Sequence, residues 1–181
     1  MKKVKVELTG LSPLLMNSPR CMVQDNVDKK MTQTTKAYDL DEDAKKLLYV
    51  NDKGELYIPS EAIKRALINA SSFKKIGKYA AKSIIAGGVF ILQPEVPLGT
   101  KKYSLDVRTV VIQRARVVKA RPKIENWKVT FELGYNENLI GNSKLIRQIM
   151  IEAGQRIGIL DFRPERMGSF GMFSVTKWEE Q

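Results

Sequence analysis

Two stretches of the chain carry apolar residues at the spacing of a helix, and each lies between stretches in which apolar and polar residues alternate. A stripe of this width buries one face of a helix against a partner surface. The first stripe comprises Ala62, Ile63, Ala66, Leu67 and Ala70. The second comprises Leu145, Ile146, Ile149, Met150 and Ala153. Any fold of this chain must therefore supply a surface that covers two helices.

The alternating stretches supply that surface as a sheet. Val4, Val6 and Leu8 alternate with charged residues, which is the period of a strand with one buried face. The other predicted strands are a second alternating stretch from Trp127 to Leu133, a buried strand at 89–92 and a last strand at 170–178. The elements then follow the βαββαβ order of the ferredoxin-like, RNA-recognition-motif type of fold. Right-handed crossovers place both helices on one face of an antiparallel four-stranded sheet. We therefore predict a single α+β, ferredoxin-like domain over residues 1–181.

Two insertions interrupt this order. The first covers about 11–57 and contains a predicted short helix within 40–50. The second, at about 94–126, is predicted to hold a hairpin that pairs 107–112 with 114–119, with Gln113 near the bend. The basic stretch 73–84 is expected to be helix or lysine-rich loop. Ser60 is the expected N-cap of the first helix, and Asn142 with Ser143 that of the second.

The chain has 31 Lys and Arg against 20 Asp and Glu, a net charge of +11. This surplus favours a polyanionic partner such as nucleic acid, although an acidic protein is the alternative. Asp106 is the only acid between 101 and 123. The planar fork of arginine suits phosphate, so the hairpin is interpreted as a backbone-binding ribbon rather than as edge protection. Its predicted contacts are Arg108, Arg114, Arg116, Lys119 and Arg121.

The absence of histidine and the single cysteine exclude several kinds of chemistry. Within one chain they exclude zinc held by cysteine and histidine, histidine acid–base catalysis and an internal disulfide. Cys21 is expected to be a small buried hydrophobe. The first residues lack the pattern of a signal peptide, and no apolar run is long enough for a membrane span. We expect no metal, no cofactor, no membrane contact and a cytoplasmic location.

A second candidate site precedes the last strand, at residues 163–171. Glycines on both sides of Ser169 and Phe170 allow backbone amides to approach an anion closely. Phe170 is a candidate for stacking on a base, although a tight turn with Phe170 in the core is the alternative. The residues predicted to bind here are Arg163, Arg166, Gly168, Ser169 and Phe170.

Two short motifs resemble the RAMP superfamily, and more narrowly the backbone subunit that holds the guide RNA in CRISPR effector complexes. Residues 57–60, leading into the helix of Lys64 and Arg65, resemble the start of that family's first helix. Residues 167–171 resemble its C-terminal glycine-rich loop, and the two insertions lie where the family has an accessory lobe and a thumb hairpin. The chain departs from the pattern in having Ser60-Glu61-Ala62 instead of Gly-Ser-Ser, and in being short. A shortened relative from a virus or mobile element fits as well.

The resemblance implies a non-enzymatic subunit of an antiviral ribonucleoprotein that binds single-stranded RNA, or less readily DNA, with little sequence preference. Ser60, Lys64 and Arg65 would join the hairpin and the C-terminal loop in this contact. Such subunits stack head-to-tail or beside other effector subunits, which is an open-ended contact.

Two alternatives stay open. One is an interaction protein whose basic face meets an acidic partner. The other is a metal-dependent ribonuclease of the same fold, because some family members cut RNA with an aspartate after the first strand. The candidate acids are Asp25, Asp28, Asp39, Asp41, Glu42 and Asp43.

Overall fold

A computed structural model describes residues 1–19, 39–112 and 114–181. Cys21, Asp25, Asp28 and Gln113, on which predictions were made, lie outside the described residues. The strands are β1 (Lys2–Gly10), β2 (Leu14–Leu15), β3 (Tyr57–Pro59), β4 (Lys75–Ile76), β5 (Tyr79–Ala80), β6 (Val89–Ile91), β7 (Glu95–Pro97), β8 (Ser104–Ile112), β9 (Ala115–Ile124), β10 (Lys128–Tyr135) and β11 (Phe173–Glu180). The helices are α1 (Leu40–Lys46), α2 (Ser60–Ala70), α3 (Ala81–Gly88), α4 (Glu137–Ile140) and α5 (Ser143–Glu152), and a π-helical turn (Ala153–Ile157) follows α5.

The main sheet has four strands in the order β11-β1-β10-β6, and each neighbouring pair is antiparallel. Val6 lies opposite Phe131 and Leu8 opposite Val129, so the alternating apolar residues of β1 and β10 line one face. These four side chains are buried. The predicted α+β class and the one-sided burial of these strands are confirmed.

Both predicted helical stripes are buried against this face. Ile63 and Leu67 of α2 join the same apolar core as Ile146 and Ile149 of α5. Within the stripes, Ala62 and Leu145 are only partly buried.

The predicted helix caps have different outcomes. The Asn142 side chain accepts a hydrogen bond from the amide of Leu145, as expected for an N-cap. The predicted cap at Ser60 is wrong. Pro59 occupies the N-cap position without a side-chain hydrogen bond, while Ser60 is the first helical residue and is buried.

The strand predicted at 89–92 forms, but the prediction that it is buried throughout is wrong for Phe90. Phe90 lies opposite Gly134 in the ladder between β6 and β10, and its side chain is 40% exposed. Neighbouring residues of a strand point to opposite faces, so Val89 enters the core while Phe90 turns away from it. The last strand begins at Phe173 rather than at Phe170.

The predicted hairpin is confirmed. Strands β8 and β9 pair continuously from Ser104 opposite Lys123 to Ile112 opposite Ala115. At its base, β2 adds a third strand to β9. The predicted short helix in the first insertion is α1, which contacts β9.

The basic stretch 73–84 is neither one helix nor an irregular loop. A 3₁₀ turn (Ser71–Phe73) continues α2, the short strands β4 and β5 then form a small hairpin, and α3 follows. Gly87 and Gly88 are the last residues of α3. In the described part of the chain, no helix is long and apolar enough to cross a membrane.

Candidate nucleic-acid interface

A cavity of about 270 Å³ is lined by helix α2, by residues 157–161, Arg163 and Glu165 that follow α5, and by Asn17 and Tyr49. Arg65 and Asn69 lie four residues apart on α2, so their side chains share one face of the helix. Both line the cavity, and Arg65 is exposed. The cavity therefore has a cationic side chain and amide side chains on its wall.

The far wall belongs to the C-terminal loop, which we define as residues 158–171. Non-glycine residues with a positive φ cost about 1 kcal/mol or more and persist only where the surroundings fix them. Residues of this loop with positive φ are Gly158, Leu160, Phe162, Met167 and Gly171.

Hydrogen bonds within this loop contradict part of the predicted anion site. The amide of Gly168 donates to the carbonyl of Arg163 at 3.0 Å, and the amide of Phe170 donates to the carbonyl of Phe162 at 3.1 Å. These two amides are therefore not available to an anion. A Cβ at Gly168 would overlap the carbonyl oxygen of Phe162, so packing within the loop requires this glycine. Ser169 is exposed, and its proposed contact stays a prediction.

Phe170 is part of the core, so the prediction that it stacks on a base is wrong. The side chain is buried, and its ring centroid lies 6.1 Å from that of Phe162. The guanidinium of Arg108 lies 5.0 Å from the centroid of the Phe170 ring. The ring is thus covered by the base of the hairpin.

The prediction that Arg121 contacts phosphate is also wrong. Its side chain is only 8% exposed, and its Nη1 donates to Oδ2 of Asp161 at 2.9 Å. Its Nη2 lies 3.7 Å from Oδ2 of Asp106, and its guanidinium lies 5.8 Å from the centroid of the Phe162 ring. Arg121 therefore joins the hairpin to the C-terminal loop.

Arg108 lies directly opposite Lys119 in the β8–β9 ladder. The side chains of both residues lie on the same face of the hairpin as that of Arg121. Nε of Arg108 donates to Oδ1 of Asp106 at 2.9 Å, and the Arg108 side chain is 45% exposed. Nζ of Lys119 donates to Oδ1 of Asn17 at 3.1 Å, and Asn17 lines the cavity. Both side chains have internal partners and remain accessible in part.

Arg163 lines the cavity, but its charge is paired within the loop. Its Nε and Nη2 donate to Oε2 of Glu165 at 2.9 and 2.7 Å, and its Nη1 donates to the carbonyl of Leu160 at 2.9 Å. Glu165 also accepts a hydrogen bond of 2.6 Å from Asn69. Arg163 therefore already has partners within the loop, and its phosphate contact stays a prediction. Arg166 is exposed.

Helix α2 divides its two basic residues between different surfaces. Arg65 lines the cavity, whereas Nζ of Lys64 lies 4.9 Å from the centroid of the exposed Phe90 ring. Ser60 is buried at the start of the helix. Of the three contacts predicted on this helix, only Arg65 lies at the cavity.

The outer half of the β8–β9 hairpin is exposed on both faces. Val111 lies opposite Arg116 on one face, and Val117 lies on the other. The exposed fractions of Val111 and Val117 are 71% and 38%. Arg114 and Arg116 are also exposed. Arg114 lies in the turn with a φ of 69°, just before β9 begins at Ala115.

Two of the acids proposed for a ribonuclease site, Asp39 and Asp43, instead contact groups within or beside helix α1. Asp39 caps α1 by accepting hydrogen bonds from the amides of Asp41 and Glu42. Asp43 lies 3.7 Å from Nζ of Lys46. Within residues 1–19, 39–112 and 114–181, no group of three or more His, Cys, Asp or Glu side chains is arranged to hold a metal ion.

Three residues of the site were not predicted from the sequence: Asn17, Asn69 and Asp161. Asn69 follows Arg65 by one helical turn, so helical spacing could have identified it. Asn17 and Asp161 are distant along the chain from Lys119 and Arg121, and only the fold brings each pair together.

No protein-family model matches the chain, and no curated protein matches it. A similar solved structure is a chain from the cryo-EM structure of the type III-B Cmr-beta bound to cognate target RNA. It has 18% identity and a TM-score of 0.60, and the match covers 99% of this chain and 60% of that one. A chain from a CRISPR RNA-guided surveillance complex has 11% identity and a TM-score of 0.38, over 96% of this chain and 66% of that one.

The Cmr-beta match establishes a shared fold, and this chain spans 60% of the length of that chain. The resemblance to a RAMP-type CRISPR effector subunit, predicted from the sequence, is confirmed at the level of the fold.

Proposed function

We propose that this chain binds the sugar–phosphate backbone of single-stranded nucleic acid, RNA in preference to DNA, as a non-enzymatic subunit of a ribonucleoprotein assembly. The observation that carries the proposal is the outer half of the β8–β9 hairpin. It is exposed on both faces and ends in Arg114 and Arg116. A protruding ribbon of this kind can follow a strand, with its arginines on phosphates and its valines against sugars and bases.

Within the described residues, Arg114 and Arg116 have no carboxylate within ion-pair distance, unlike Arg121 and Arg163. An unpaired surface arginine can neutralise a phosphate without first breaking an internal salt bridge. Each phosphate neutralised releases counterions, which is the main source of sequence-independent affinity. The tip of the hairpin therefore contributes more to binding than the paired arginines at its base.

The cavity beside α2 supplies a second contact. Arg65 is exposed there, and the amide groups of Asn17 and Asn69 offer hydrogen-bond donors and acceptors to sugar hydroxyls and phosphates. Contacts of this kind position a strand without specifying its sequence. The net charge of +11 and the fold shared with a chain of an RNA-bound structure favour RNA as the ligand.

We also propose a specific fold topology for the domain and a way in which copies of the chain assemble. The strand order β11-β1-β10-β6, with α2 and α5 in one core, supports the proposal of a ferredoxin-like βαββαβ domain. Copies of the chain would stack head-to-tail along the strand, or beside other effector subunits, through the first insertion. A heterologous contact of this type extends along a strand without closing.

The experiment compares the salt dependence of single-stranded RNA binding by the wild type and by the double variant R114A/R116A. Each phosphate neutralised on a single strand contributes about −0.7 to the slope of log affinity against log salt. The variant should flatten the slope by about 1.4 if each arginine meets one phosphate. It should also weaken binding to unrelated sequences by the same factor.

The matched control is K144A/R147A, which removes two exposed positive charges from α5. This control separates a local contact from the loss of net charge, because both double variants lower the charge equally. A slope that R114A/R116A leaves at the wild-type value, in a folded protein, would contradict the role of the hairpin tip. An equal effect of the two double variants would contradict it too.

A further inference from the structure

The small hairpin of β4 and β5 extends from the end of α2 and presents aromatic side chains to solvent. We define the lysine–aromatic hairpin as residues 71–82. Phe73 is 87% exposed and Tyr79 is 71% exposed. Gly77, with a φ of 59°, forms the turn between the two strands. Neither ring contributes to the apolar core.

The lysine–aromatic hairpin itself carries charge of one sign, while Glu152 lines the depression beside Phe73. No acidic residue occurs in the sequence from 62 to 94. Lys74 is paired with Glu152 at 2.7 Å. The remaining lysines of the hairpin, Lys75, Lys78 and Lys82, are exposed and have no ion pair with any described carboxylate.

This hairpin lies next to the cavity of the proposed interface. Phe73 lines a shallow depression together with Asn69 and Ile157, and both of these residues also line the larger cavity beside Arg65. A strand that contacts Arg65 can therefore continue past Asn69 to the ring of Phe73.

We propose that the lysine–aromatic hairpin is a stacking platform for the bases of a single strand, separate from the β8–β9 hairpin. The inference rests on the proposed function, which it extends from phosphate contacts to base contacts. Exposed rings beside unpaired cations are the combination that binds single strands without sequence preference, because every base has a π-face.

The test is a cycle of two proteins and two ligands. The wild type and F73A/Y79A are each titrated with a labelled single-stranded RNA and with a strand of equal length in which abasic sites replace the bases. Both side chains are exposed, so the variant should fold as the wild type does, which circular dichroism checks. Stacking contributes about 1–3 kcal/mol per base, which corresponds to about 5- to 150-fold in affinity.

We expect F73A/Y79A to bind the normal strand at least about tenfold more weakly and to bind the abasic strand as the wild type does. Its salt slope on the normal strand should be unchanged, because the substitutions remove no charge. F73W/Y79W should keep the affinity of the wild type, and the bound strand should quench its added tryptophan fluorescence.

Failure of this inference is distinguishable from failure of the proposed function. If the wild type binds RNA and F73A/Y79A binds it equally well, the platform is refuted while the proposed function stands. If the variant loses the same factor on both strands, stacking on bases is refuted. If it instead loses a purified acidic protein partner while keeping its RNA affinity, the hairpin is a protein-docking surface. If the wild type binds no RNA, both proposals fail.

Discussion

Replacing Arg121 with alanine should destabilise the fold, because this arginine joins the β8–β9 hairpin to the C-terminal loop. Its guanidinium pairs with Asp161 at 2.9 Å and faces Asp106 at 3.7 Å, and its side chain is 8% exposed. Removing one partner of a buried ion pair costs about 3–5 kcal/mol, because the other partner stays buried without compensation.

The environment of the two acids places the expected cost near the lower end of that range. The Asp161 side chain is 28% exposed, so water can solvate it in part after the substitution. The Asp106 side chain is 10% exposed but keeps the hydrogen bond from Arg108. We therefore expect a loss of about 3 kcal/mol. For a chain of this size that loss lowers Tm by about 6–12 °C.

Urea denaturation followed by the fluorescence of the buried Trp127 measures this loss. R116A is the matched control, because Arg116 is exposed on the same strand and its removal should cost less than about 0.5 kcal/mol. R121K keeps the charge without the planar fork and should fall between the two. An R121A protein with the urea midpoint of the wild type would refute the structural role assigned to Arg121. If that stable R121A protein also lost RNA affinity, the sequence-based interpretation of Arg121 as a phosphate contact would be supported instead.

Two further outcomes are expected. G168A should fold poorly, because a Cβ there overlaps the carbonyl oxygen of Phe162, whereas G87A, where a Cβ meets nothing within 4 Å, should retain its thermal midpoint. A G168A midpoint equal to that of the wild type would contradict the packing described for the loop. The hydrogen bond from Thr176 is the main cause that lowers the pKa of Glu7, and the nearby positive charges of Lys128 and Lys177 lower it further. A lowered folded-state pKa stabilises the protein above the ordinary glutamate pKa, and this contribution is lost as the pH falls from that value through the lowered pKa. The difference in thermal midpoint between wild type and E7Q should therefore shrink on acidification, and a constant difference would contradict this assignment.

The elements that the sequence predicted well are those set by local periodicity. The stripes of α2 and α5 and the alternation of β1 and β10 each require only that one face be apolar. The β8–β9 hairpin was predictable because two runs rich in β-branched residues adjoin along the chain. The capping role of Asn142 likewise depends on residues within one turn.

The errors concern residues whose environment comes from distant parts of the chain. Arg121 appeared to be a surface cation because Asp161, its partner, lies 40 residues away. Phe170 appeared free to stack because the sequence does not show that Arg108 covers it. Phe90 was assigned to the core because a short apolar run does not reveal which residue faces outward. Composition predicted the positive charge of the chain, but only the structure separates paired from unpaired arginines.

The most direct test of the central claim is the affinity of the wild-type chain for single-stranded RNA as a function of salt. Fluorescence anisotropy with two unrelated sequences of equal length, from about 50 to 200 mM salt, provides the measurement. The account predicts linear log–log plots with the same negative slope for both RNAs, and weaker binding to duplex DNA of equal length. Affinity that does not change with salt, strong preference for one sequence, or no binding at the lowest salt would contradict it.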